Sequence, residues 1–177
     1  KDTKMLLTPG PTPVPEFVRK AMSDITIHHR TEEFEAIFKN TRELLIELYD
    51  MPEVVMLASS GTGAMEACVT NLTHKKALTI NSGKFGERFG KICAAFGIDY
   101  TEIKNEWNTP VSVEAVINAI KADSSIDAVF IQICESAGGL RHPVEEIAAE
   151  IKKINKDITI VADGITAVGV EKIDTTN

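Results

Sequence analysis

The chain has 177 residues, enough for one domain with a substantial core. It is 44% hydrophobic and 25% charged, an ordinary globular balance, and no apolar run approaches the roughly 20 residues of a membrane helix. The net charge is -7, and Lys and Arg are scattered among acids, which excludes the basic footprint of a nucleic-acid binder.

Leu6 to Pro15 carries Pro9, Pro11, Pro13 and Pro15 and can be neither a helix nor a central strand, so it reads as an extended arm. Pro15 can open a short helix to Ser23, with Phe17, Val18, Ala21 and Met22 on its apolar side. Ile27 to Arg30 is a connector. Within it, His28 and His29 have no third metal ligand close in sequence and favour a structural role. Thr31 can cap the next helix, with Glu32 and Glu33 in a first turn where negative charge is favoured. That helix runs to about Tyr49, and Phe34, Ile37, Phe38, Leu44, Leu45 and Leu48 recur at helical spacing. The expected organisation is an arm and short helix over 1–30, then one larger domain over 31–177.

From residue 53 the chain alternates. Strands are expected at Val54–Leu57, Ala77–Ile80, Tyr100–Ile103, Ala128–Ile133 and Ile158–Ala162. Helices are expected at Thr62–Leu72, Phe85–Phe96, Ser112–Lys121 and Val144–Ile154, with Gly97 as a C-terminal stop. Strands that alternate with helices and lack a polar face mean a parallel sheet buried on both sides. The fold class is therefore α/β, a three-layer α/β/α arrangement with a mainly parallel sheet. In such sheets ligands bind beyond the carboxyl ends of the strands. The loops expected there, Ser59–Thr62, Asn81–Phe85, Cys134–Gly139 and Asp163–Ile165, are all polar or glycine-rich.

Each loop offers one kind of chemistry. Ser59-Ser60-Gly61-Thr62-Gly63-Ala64 opens a helix, whose first N–H groups can cradle a phosphate; the same residues also make an ordinary capped turn. Phe85, between Gly83 and Gly86, can pack under its helix or offer a flat face to a ring. Ser136 can bond a ligand or its own turn, and Asp163 can hold a ribose, a metal, a protonated ring nitrogen or only a turn. A phosphate cradle, an aromatic face, a hydroxyl and a carboxylate together are what pyridoxal 5'-phosphate requires.

Several ordered segments carry a resemblance to a family. They are Thr8-Pro9-Gly10-Pro11-Thr12, His29 to Phe34, Ser60 to Ala67 with Asn71-Leu72, Gly83 to Arg88, Glu135 to Gly139 with His142-Pro143, and Val161 to Ile165. With them the chain resembles the class V aminotransferases, pyridoxal-phosphate enzymes of fold type I, most of all the serine–pyruvate and alanine–glyoxylate branch. The resemblance implies that 31–177 is the major part, still incomplete, of the cofactor-binding large domain. It implies that Thr62, Gly63 and Ala64 bind the phosphate, Phe85 stacks on the pyridine ring and Ser136 contacts the ring oxygen. Asp163 would pair with the ring nitrogen, a cofactor-binding and catalytic role, while Ile165 covers the other ring face and Gly10 lies near the substrate. Ala137 stands where relatives often carry Ser or Thr.

The family's Schiff-base lysine follows the ring-binding Asp by a few tens of residues in a Ser-Gln-Lys-like context. Lys172, in Val-Glu-Lys-Ile-Asp, does not match it. The arginine that binds the substrate carboxylate belongs to a smaller C-terminal domain. The expectation is an N-terminal portion of an aminotransferase acting on an amino acid and a 2-oxo acid, inactive by itself, from a homodimeric parent. No metal and no membrane or nucleic-acid partner is expected. Cys68, Cys93 and Cys134 are odd in number, far apart and set among apolar neighbours. They read as buried thiols of a cytoplasmic protein, and Lys1–Leu7 lacks the apolar core of a leader. The alternatives are a cysteine desulfurase or other class V lyase, which usually stacks His where Phe85 stands, and a phosphonate-specific aminotransferase, which shares the Thr8–Pro11 arm. A non-catalytic nucleotide-binding or dimerisation module is the other class; the turn at Ser60 lacks the third glycine of a dinucleotide fingerprint.

Overall fold

The computed structural model describes residues 5–176, and the chain divides between Val55 and Met56 into two compact units. In the first, the proline-rich arm has no regular structure before α1 (Glu16–Met22). Next comes α2 (Glu32–Tyr49), capped as its sequence demands: the Phe34 N–H donates to Thr31 Oγ1 at 3.3 Å. Asp50, left-handed at φ 51°, ends it. The apolar residues Ile37, Phe38, Leu44 and Leu48 of α2 lie exposed rather than in a core.

The second unit holds α3 (Gly61–Leu72), β1 (Lys76–Asn81), α4 (Gly86–Phe96), β2 (Tyr100–Lys104), α5 (Val113–Ala122), β3 (Ile126–Gln132), β4 (Cys134–Glu135), β5 (Leu140–Arg141), α6 (Val144–Ile154) and β6 (Thr159–Asp163). The main sheet has the order β2-β1-β3-β6 and every pairing in it is parallel. Side chains alternate between two cores. On one face Leu78, Ile80, Val129 and Ile131 pack with Val116 and Ile120 of α5 and Ile147 and Ile151 of α6. On the other, Ala77, Ala128 and Phe130 pack with Met65 and Val69 of α3 and Phe89, Ile92 and Cys93 of α4. Phe89 and Phe130 meet as tilted rings 5.2 Å apart. Helix layers on both faces give the three-layer α/β/α fold, and the near-continuous burial of β1 and β3 follows from it.

Helix α4 can lie close on the sheet because two of its inward positions, Gly86 and Gly90, lack a Cβ. A Cβ on Gly86 would stand 2.5 Å from the Ile80 carbonyl oxygen, and one on Gly90 would stand 3.2 Å from the Tyr100 ring. Ser112 caps α5, accepting from the Ala115 N–H at 3.1 Å, and Gly97 ends α4 at φ 68°.

Two local expectations change. Val54–Leu57 is not a strand: no described strand pairs with it, and Val55 and Leu57 are 77% and 49% exposed. A short apolar run without a ladder partner cannot be told from a strand by composition. The short antiparallel pair β4–β5 was not expected, because two-residue strands leave no periodicity. It delivers His142 to the interior, where Nδ1 accepts the Val111 N–H at 3.1 Å.

Gly86→Ala should destabilise the protein by about 1–3 kcal/mol, since the obstructing atom is backbone and cannot turn aside. A lowered urea midpoint would show it. Burial holds His142 below its ordinary pKa of 6.5, against an opposing pull from the Glu135 charge. The unfolded chain therefore binds this proton more readily than the folded one. Stability should be full above about pH 6.5 and fall as the solution is acidified through that value. His142→Gln should flatten this part of a stability-versus-pH series; an unchanged slope would reject the assignment.

Candidate functional site

The chain leaves β1 through α4 toward β2, then returns through α5 to β3 and continues through α6 to β6. Neighbouring strands β1 and β3 thus send their connections in opposite directions. The crevice outside their carboxyl ends is the topological switch point, where open α/β sheets bind ligands.

Glu135, 1% exposed, joins the two loops at this crevice. Its carboxylate accepts from the Gly86 N–H at 2.8 Å, the Phe85 N–H at 3.1 Å and the Ala137 N–H at 3.3 Å. A carboxylate is favoured there, because the first turn of α4 presents unpaired donors at the positive end of its dipole. One side chain therefore fixes the backbone of Phe85 and flanks Ser136, which is half-buried. The loop after β2 is laced to the same place. Asn105 Nδ2 donates to Ser82 Oγ at 3.0 Å, and the Asn108 amide packs where a Cβ on Gly138 would be.

The N-terminus of α3 lies in the same unit. Ser60 is its N-cap residue but makes no side-chain cap bond. Thr62 and Gly63 are half-buried and Ala64 is exposed. A Cβ on Gly63 would fall 2.0 Å from Ser59 Oγ and 2.8 Å from Ser59 Cβ, so a larger residue there would displace Ser59. Arg88, from α4, donates through Nη1 to Thr62 Oγ1 at 2.9 Å. Its guanidinium carbon lies 5.0 Å from the centre of the Phe85 ring. Thr62 and Phe85 are thus brought to one side chain.

Asp163 ends β6, in register with Gln132 of β3. One carboxylate oxygen accepts the Ile165 N–H at 3.2 Å, and the other faces Gln132 Nε2 at 3.5 Å. Gln132 Oε1 is buried with no hydrogen-bond partner. Strand β6 packs against α3, and burial and then the Asp163 charge hold the Cys68 thiol of that helix above its ordinary pKa. Ile165 is 76% exposed beside Asp163. Gly10 lies in the arm of the first unit, and a Cβ there would meet nothing within 4 Å.

The second unit therefore presents a helix start without a side-chain cap and with a cation near it, an aromatic ring, a hydroxyl-bearing loop and a half-buried carboxylate. Such a set can hold a flat ring that carries an anion at one end and a protonated nitrogen at the other. The partnerless Gln132 oxygen and the uncapped α3 show polar capacity that the protein itself leaves unused. Glu135, Arg88 and Gln132 had no role assigned from sequence. Glu135 and Arg88 do fall inside the quoted segments, but their partners are distant in the chain. Among the described residues, no cluster of His, Cys, Asp and Glu could hold a metal ion, and no helix is long and apolar enough to cross a membrane.

The chain is similar to known proteins over nearly its whole length. An uncharacterized aminotransferase of Helicobacter pylori strain J99 is 50% identical over 173 residues, covering 98% of this chain and 47% of that protein. Among solved structures, an aspartate aminotransferase of subgroup IV from Thermus thermophilus superposes with a TM-score of 0.89 at 29% identity, covering 96% of this chain and 48% of that one. An alanine–glyoxylate aminotransferase from Nostoc superposes with a TM-score of 0.87 at 25% identity, covering 98% and 46%. The chain thus spans about half the length of the relatives it matches. The profile of the family described as aminotransferase class-V matches residues 5–177, and the chain belongs to that family.

Proposed function

We propose that this chain is the cofactor-holding part of a pyridoxal-phosphate-dependent aminotransferase of the serine or alanine to pyruvate or glyoxylate type. The observation that carries the cofactor assignment is Asp163, a half-buried carboxylate at the carboxyl end of a strand that packs against α3, in register with Gln132. The residues present fit the cofactor. Thr62, Gly63 and Ala64, at the start of α3, hold the phosphate with N–H groups and a hydroxyl. Phe85 stacks on the pyridine ring, and its backbone is pinned by Glu135. Ser136 donates to the ring oxygen. Ile165, exposed beside Asp163, covers the second ring face and keeps water from it.

When bound, pyridoxal phosphate supplies a ring that accepts electrons from the substrate's α-carbon. The chain's part is to keep that ring protonated and oriented. Asp163 holds the proton on the pyridine nitrogen, because a carboxylate beside a cation favours its charged form. Proton transfer at the α-carbon and recognition of the substrate carboxylate need a lysine and an arginine that no residue of this chain supplies in a matching context. The 177-residue chain alone should therefore bind the cofactor without turning over alanine or serine. The exposed apolar side of α2 is suited to a second copy of the chain.

Binding can be followed through Trp107, the chain's one tryptophan, in the loop after β2. Pyridoxal phosphate should quench its emission, and pyridoxal, which lacks the phosphate, should do so at a concentration about a hundredfold higher. Asp163→Asn should lower the pH at which the bound ring nitrogen loses its proton, by about one to three units, as read from cofactor absorbance. Equal affinity for both compounds, or an unmoved titration in the variant, would reject the reading.

A further inference from the structure

Arg88 is a half-buried cation without an anion. Among the described residues it forms no ion pair, whereas its neighbour Glu87 is paired with Lys91 at 2.7 Å. An arginine has five N–H donors in a planar fork. Among the described residues, one of them donates to a side chain, Thr62 Oγ1 at 2.9 Å. A half-buried guanidinium with no carboxylate beside it leaves its charge to favour a negative ligand. The place it occupies supports this. It stands by the N-terminus of α3, a twelve-residue helix with no side-chain cap.

The direction of the bond to Thr62 has a consequence. Arginine can only donate, so Thr62 Oγ1 is the acceptor and its own hydroxyl proton is left to point elsewhere. That leaves Thr62 oriented as a donor, with its oxygen polarised by the neighbouring charge. The same guanidinium lies over the Phe85 ring, 5.0 Å from its centre. It therefore covers one face of that ring.

We propose that Arg88 is the positioning residue of the phosphate end of the site: it turns the Thr62 hydroxyl into a dedicated donor to a phosphate ester and sets its unpaired charge beside it. This rests on the cofactor assignment above and extends it to a residue 26 positions from Thr62. The ligand chemistry required is a phosphate monoester on a flat ring. The ring alone gains nothing from the pair.

The test compares pyridoxal phosphate with pyridoxal, by equilibrium dialysis, on the 177-residue chain and on Arg88→Met, Arg88→Lys and Thr62→Val. Arg88→Met should lose about tenfold in affinity for the phosphate form and less than about twofold for pyridoxal. Arg88→Lys, which keeps a charge and a donor, should recover part of the loss. Arg88→Met combined with Thr62→Val should be no weaker than the worse single variant, because both remove one coupled donor. A merely structural role would weaken both compounds equally and is read directly from the pyridoxal arm. That result, or full phosphate preference retained in Arg88→Met, overturns this inference alone. Absence of any phosphate preference in the unaltered chain overturns the cofactor assignment and this inference with it.

Discussion

The buried carboxylate of Glu135 is the interaction on which the site's geometry turns. It lies where the neighbouring strands β1 and β3 send their chains in opposite directions. There it collects N–H groups from the loop after β1, from the first turn of α4 and from the turn that follows itself. A charge so fully removed from water is tolerable only because several donors converge on it. The crevice is thereby closed on one side by an anion that belongs to the protein. The start of α3, by contrast, has no side-chain cap and has Arg88 beside it.

This division of charge explains the layout of the second unit. Helix α4 serves twice: its N-terminus is spent on Glu135, while Arg88 in its first turn reaches toward Thr62. It can do both only because it lies close on the sheet. Gly86 and Gly90 permit that approach, with the Ile80 carbonyl and the Tyr100 ring where side chains would otherwise be. The aromatic pair Phe89 and Phe130 then fixes the helix against β3. Packing in the core and the direction of a guanidinium at the rim are one structural fact.

On the sheet itself, polarity changes along one face. Ala128 and Phe130 of β3 belong to the core shared with α3 and α4, and Gln132, two residues on, faces Asp163. The strand thus passes from apolar packing to hydrogen bonding within one pleat repeat, since every second residue shares a face. The buried and unpartnered Gln132 oxygen is a cost the core does not need. It is understandable as part of a site in which Asp163 has to hold one orientation.

The sequence by itself determined the helices, the side-chain caps of α2 and α5, the buried strands β1 and β3, and the family. Thr31 and Ser112 act through bonds three residues long, and the apolar runs of β1 and β3 announce burial on both faces whatever their neighbours. The motifs around Thr62, Phe85, Ser136 and Asp163 were legible because each lies within a few consecutive residues. Only the tertiary structure decided the strand order, and hence the switch point, because a parallel strand does not encode which neighbour it will meet. It also decided that Val54–Leu57, for all its apolar content, has no ladder to join, and that the apolar side of α2 is exposed. Arg88 with Thr62, Glu135 with Phe85 and Gln132 with Asp163 lie 26, 50 and 31 residues apart. Contacts over such separations are set by how whole helices and strands pack, and no local pattern in the chain records them.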